Sequence, residues 1–223
     1  MKVPAKVIVV LAVIAVLSIA ALIAQRTSSS GPRSANLSAA DMELLIPEIL
    51  GPEAQAQISR PEQKKELAKD LKQFLAIAQI AEREGFANRP EVQAQIDLLT
   101  DDVLARAYTK KHPEHKITDD EINAYVDANG SQIEAYLAAD PKAKQIEGAQ
   151  LDSFKRAFAQ SKIGSQLARK EGLDEDKTNE LMTMFTRSRV LYGAYMNSLI
   201  EKYHEDHKNE YEQVRARHIL IST

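Results

Sequence analysis

Between Pro61 and Gly85 the apolar residues Leu67, Leu71, Phe74, Leu75 and Ala78 recur three or four positions apart, the spacing that gathers side chains on one side of an α-helix. Pro61 suits the first helical position and Gly85 the position just past the end. Pro90 opens a second stripe, Val92, Ile96, Leu99, Val103 and Ala107, which runs into the polar tail TKKHPEH. The two stripes predict a helical hairpin over 61–111. Composition agrees: 5% aromatic residues, no Trp, 8 Gly and 8 Pro argue against a turn-rich sheet protein and for long helices, so the fold class expected is all-α.

The remaining elements follow from caps and breaks. Ser38 with Asp41 marks a helix start, and the apolar group Met42, Leu44, Leu45, Ile46, Ile49 and Leu50 is interrupted at Pro47 and Gly51, which predicts a short, broken helix. Thr118 and Glu121 form a capping box whose helix ends near Gly130. Asp140-Pro141 reads as a cap followed by Pro at the start of a segment with Leu151, Phe154, Phe158, Ile163 and Leu167, ending near Gly172. Asp174 is expected to cap a last long helix. These two make a second hairpin, 141–203. A shift of 87 residues lays Gln79, Ala81, Glu84, Gly85, Val103, Leu104, Ala107 and Tyr108 onto Gln166, Ala168, Glu171, Gly172, Val190, Leu191, Ala194 and Tyr195. A repeated unit and two unrelated amphipathic hairpins both fit, because Val92, Ile96 and Leu99 fall on Asn179, Thr183 and Thr186.

Lys2 and Lys6 precede an uncharged run from Val7 to Ala24. A basic start followed by an apolar stretch is an export signal, and this stretch reaches the roughly 18 residues at which a spanning helix becomes plausible. Residues 1–26 are therefore expected to be a membrane anchor or, cut near Ser18-Ile19-Ala20, a signal peptide; 27–37 read as a solvated tether. Either way the rest of the chain is expected outside the cytoplasm. With no cysteine there is no disulfide and no thiolate site. A net charge of -3 lacks the basic footprint of nucleic-acid binding. At the other end, VRARHILIST (214–223) alternates and then runs apolar, the pattern of a strand.

LAIAQIAEREGFANRPEVQAQI, ITDDEINAYVDAN and YEQVRARHILIST, in that order, resemble the extracytoplasmic parvulin-type foldases of the SurA, PpiD and PrsA group. The resemblance implies a SurA N-like helical chaperone domain over 38–213, followed by the first strand of an incomplete parvulin domain. Its partners would be unfolded exported polypeptides, with no cofactor. It also implies that His218, the one parvulin active-site position present, helps line the isomerase site. Apolar side chains left available between helices would hold the client, and the candidates are Phe74, Ile77, Phe154, Phe158, Met182, Met184, Phe185 and Met196. At such spacing core packing is the commoner fate. The pairs His112/His115 and His204/His207 read as solvated helix ends rather than metal ligands, and Asp101-Asp102 and Asp119-Asp120 as helix surface and helix start. A reading from another class is a membrane-anchored helical scaffold, in which RHIL is coincidence.

An X-Pro bond turns slowly because its partial double bond faces a barrier of about 18–20 kcal/mol. Lowering that barrier takes a shaped apolar pocket around the prolyl ring, which one strand cannot form. A proline-peptide assay on this chain is expected to show no turnover above background.

Overall fold

The computed structural model describes residues 37–57, 61–139 and 145–208. The described residues are all-helical: α1 (Ala39–Gln57), α2 (Pro61–Arg83), α3 (Pro90–Lys111), α4 (Asp119–Ala128), α5 (Gly130–Ala139), α6 (Gly148–Lys170) and α7 (Lys177–Asp206). Among them no helix is long and apolar enough to cross a membrane. The signal or anchor at 1–26 and the strand at 214–223, with His218, lie outside the described residues.

The caps read from sequence hold in two places. Ser38 Oγ accepts from the Asp41 amide at 3.1 Å while the Asp41 carboxylate accepts from the Ser38 amide at 2.9 Å. Thr118 and Glu121 close the corresponding reciprocal box on α4. Three expectations change. Pro47 does not interrupt α1; the interruption is at Gly51, whose φ of 70° belongs to the left-handed region that glycine tolerates. A proline inside a helix forgoes one bond, here to the carbonyl of Glu43, an exposed residue that water can reach. The last helix is capped by Asp176, whose carboxylate accepts from the Thr178 and Asn179 amides, because Asp174 is taken up in a preceding 3-10 turn. In the segment assigned to 141–172 the described residues carry a helix over Gly148–Lys170, and α5, a separate short helix not expected from the sequence, precedes it. Asp140-Pro141 lies outside the described residues.

The 87-residue register extends to the backbone. α2 and α6 are both 23 residues long, and each starts and stops 87 positions from the other. Gly85 (φ 81°) and Gly172 (φ 69°) both turn left-handed, then single 3-10 turns follow at Phe86–Asn88 and Leu173–Glu175. Arg89 and Asp176 are both extended, and α3 and α7 begin at equivalent residues. Within each hairpin the two helix backbones scarcely approach one another; instead α2 packs on α7, α3 on α6, and α3 crosses α7. The main core lies between hairpins and holds Leu71, Phe74, Leu75, Val92, Ile96, Leu181 and Leu191, with α1 adding Met42 and Leu45.

The α3–α6 crossing is close because small residues meet there. A Cβ on Gly164 would lie 2.6 Å from the Ala105 Cβ and 3.0 Å from its Cα, closer than packed atoms come. Gly193 in α7 has nothing within 4 Å of that position. Alanine gains roughly 0.5–1 kcal/mol over glycine inside a helix, whereas overpacking costs about 1–3 kcal/mol. Gly193→Ala is therefore expected to raise the thermal midpoint and Gly164→Ala to lower it, each by a few degrees. Paired melts followed by circular dichroism check the opposite signs.

Candidate functional site

One depression lies where α5 lies across α3 and α6. It encloses about 290 Å³ and is walled by Ala94 and Leu98 of α3, Ala135 and Tyr136 of α5, and Phe158 of α6. Gln93, Asp97, Gln132 and Lys162 supply a polar rim. The two lining rings pack with a third: Tyr136 meets Phe158 edge-on at 5.7 Å and stacks on Phe154 at 5.5 Å, and Phe154 lies 6.0 Å from Phe158. Such offset and edge-on geometries are the favourable ones for aromatic pairs, so the wall is a rigid apolar surface. Ile133, 1% exposed, anchors α5 beneath it.

A buried charge holds the α3–α6 pair that carries this groove. Asp101, expected on the helix surface, is 4% exposed. Its carboxylate accepts from Lys162 Nζ at 2.6 Å and from Ser165 Oγ at 2.7 Å, and Arg169 lies 2.9 Å away. Burial pushes the Asp101 carboxyl up, but the hydrogen bonds from Lys162, Ser165 and Arg169, with the Lys162 charge, more than offset it, so the net position is below the usual carboxylate range. Lys162 thereby has its ammonium fixed at the groove's edge, 5.4 Å from the centre of the Phe158 ring. Asp102, its neighbour, keeps to the surface and pairs with Arg106 at 2.7 Å. Asp119 pairs with Arg156, which ties the start of α4 to α6.

The structure brings together only part of the proposed client-binding set. Phe158 lines the groove, and Phe154 packs 6.0 Å from it. Phe74 and Ile77 are buried in the core between hairpins, and Met182, Met184, Phe185 and Met196 pack partly buried against it. Phe74 lies 5.4 Å from Phe185 and 5.1 Å from Tyr192. Tyr136, Leu98 and Lys162 were not anticipated. Ile133, Tyr136 and Leu137, three or four apart between Gly130 and Asp140, carry the helical spacing that marks α5.

The histidines of the first HxxH cluster face different partners. His112 Nε2 is 2.9 Å from Glu171 Oε2, which also accepts from Lys111 Nζ at 2.8 Å, while His115 Nδ1 lies 2.7 Å from the Tyr108 hydroxyl. The hydrogen bond to Glu171 raises the His112 pKa. In the second cluster His207 stacks on Tyr203 at 4.1 Å. Among the described residues no three His, Asp or Glu side chains gather as a metal ion would require. A larger depression of about 560 Å³ between α1, α3 and α7 is lined by charges that satisfy one another, Lys110 with Glu48 and Arg106 with Asp102 among them.

Removing one partner of a buried ion pair leaves the others without compensation, which costs about 3 kcal/mol, so Asp101→Ala is expected to lower the melting midpoint markedly. Because the folded carboxyl titrates below its unfolded value of about 3.9, its contribution is complete above that pH and fades as pH falls through the depressed folded value. The midpoint gap between the natural chain and Asp101→Asn is expected to be constant from neutral pH down to about pH 5 and to shrink below about pH 4. Compared with protein-family models, with curated proteins and with solved structures, the chain finds no match in any of the three.

Proposed function

We propose that this chain is the client-binding part of an extracytoplasmic protein-folding factor related to the parvulin-type foldases, held at the membrane by residues 1–26. The observation that carries the reading is the groove lined by Tyr136 and Phe158, with Phe154 packed on both, apolar on its walls and with polar groups in its lining. An unfolded polypeptide offers apolar side chains at irregular spacing joined by a polar backbone. A shallow groove with stacked rings and a rim of amide and charged groups matches both parts without demanding one sequence. Lys162 and Asp97 give the lining both signs of charge, which suits clients of varied composition. The order of the three sequence motifs supports the same reading from the side of family resemblance.

Fragment 38–213 is expected to slow the aggregation of a chemically denatured protein diluted from urea, followed by light scattering. Phe154→Ser, which removes the partly exposed ring packed on Tyr136 and Phe158, is expected to lose most of that protection while keeping the helical circular-dichroism signal. Equal protection by the substituted fragment would remove the groove as the binding site, and no protection by either would overturn the reading.

A further inference from the structure

The two hairpins fill one another. Neither has an interior of its own, since the helices within a hairpin scarcely meet and the main packing runs between hairpins. The arrangement is reciprocal: Phe86 of the first turn meets Tyr195 of α7 edge-on at 5.5 Å, and Leu173 of the second turn packs with Tyr108 of α3, each residue 87 positions from its counterpart. Ala81 and Ala168, also counterparts, are both 0% exposed. This is the pattern of a self-complementary two-fold interface, written within one chain.

Charge decides which hairpin can close on which. Glu82 of α2 pairs with Arg187 of α7 at 2.7 Å. Its counterpart at the other end of the pseudo-two-fold, Arg169 of α6, pairs with Asp101 of α3 at 2.9 Å, so the polarity is reversed. Two first hairpins placed together would set Glu82 near Asp101, and two second hairpins would set Arg169 near Arg187. Like charges so placed repel, and a buried carboxylate such as Asp101 would lose its partners. A first hairpin therefore accepts a second hairpin, whether from its own chain or from another copy.

We propose that two copies of the chain exchange hairpins, 61–111 of one closing on 148–206 of the other, with the path of the chain changing at 112–117. The segment is short and contains Pro113, and α4 beyond it travels with the second hairpin through the Asp119–Arg156 ion pair. Every inter-hairpin contact of the single chain is remade between copies, and the bonds given up are local: Tyr108 to His115 at 2.7 Å and the His115 amide to the His112 carbonyl at 3.0 Å. Exchange of identical elements is a low-cost route to dimers for this reason. The inference rests on the hairpin packing alone and is independent of what the groove binds.

Complementation tests it with full-length chains in mild detergent. Phe74→Asp spoils the first hairpin and Leu191→Asp the second, so neither variant alone holds an intact hairpin pair. Unfolded together in urea and refolded at high protein concentration, the mixture is expected to yield a heterodimer by native mass spectrometry. It is also expected to recover up to half of the cooperative helical melt of the natural chain, because the exchanged dimer contains one unaltered pair. The natural chain treated in the same way is expected to give a dimer whose share rises with concentration. A mixture that melts as the sum of its two components overturns the proposal, whether or not the natural chain dimerises through another surface.

Discussion

Each helical hairpin leaves its inner face open, and closing that face with the other hairpin is the constraint on which the rest of the structure depends. The opening is set at the turns. A left-handed glycine, one 3-10 turn and one extended residue carry the chain from α2 to α3 and again from α6 to α7. That geometry sends the two helices apart rather than back along each other, so their apolar stripes cannot pair locally. Burial then comes from contacts distant in sequence, and the hydrophobic gain of the α2, α3 and α7 stripes is realised only when both hairpins are present.

The two halves of the interface solve the same geometric problem with different chemistry. Between α2 and α7 the fit is made by large side chains, Phe74, Phe185 and Tyr192, whose rings stand 5.1 and 5.4 Å apart. Between α3 and α6 it is made by small residues, with Gly164 against Ala105. Close approach leaves little apolar area to bury there, and the Asp101, Lys162, Ser165 and Arg169 network occupies the space beside it. A satisfied buried network adds less net stability than apolar packing would, but it accepts one register and one partner, since any slip strands a charge. Among the described residues no buried side-chain polar atom lacks a partner.

This division explains what the residues disclosed in advance. The α2 stripe, Leu71, Phe74, Leu75 and Ala78, is large and apolar, so periodicity alone identified both the helix and its buried face. On α6 the buried face is Phe158, Ala159, Gly164, Ser165 and Ala168, mostly small or polar, and the stripe of Leu151, Phe154, Ile163 and Leu167 drifts off it. Asp101 reads as helix surface for the same reason: a carboxylate within a run of polar residues looks solvated until its partners, more than sixty residues away, are placed beside it. The groove inherited both difficulties. Phe154 and Phe158 were legible as client-binding candidates, whereas Tyr136 depended on recognising α5, a helix of 10 residues that follows directly on α4. The equivalence of the hairpins was visible in paired residues at both ends and obscured in the middle. Asn179, at the place of Val92, is half-buried but spends its side-chain amide on the Leu173 carbonyl at 2.8 Å, so a polar residue serves the turn where an apolar one serves the core.

The groove also depends on the segment that departs from the repeat. α4 and α5 stand between the two hairpins. α4 is tied to α6 through Asp119 and Arg156, and α5 brings Tyr136 against Phe154 and Phe158. Without α5 those two rings would lie on an open helix surface, where an isolated apolar patch binds weakly and without orientation. With it Tyr136 packs directly on both rings, and the depression beside them is bounded by α3, α5 and α6, with Gln93, Gln132 and Lys162 in its lining. The paired hairpins thus supply the rigidity, and the inserted helices supply the concavity that a rigid pair of hairpins lacks.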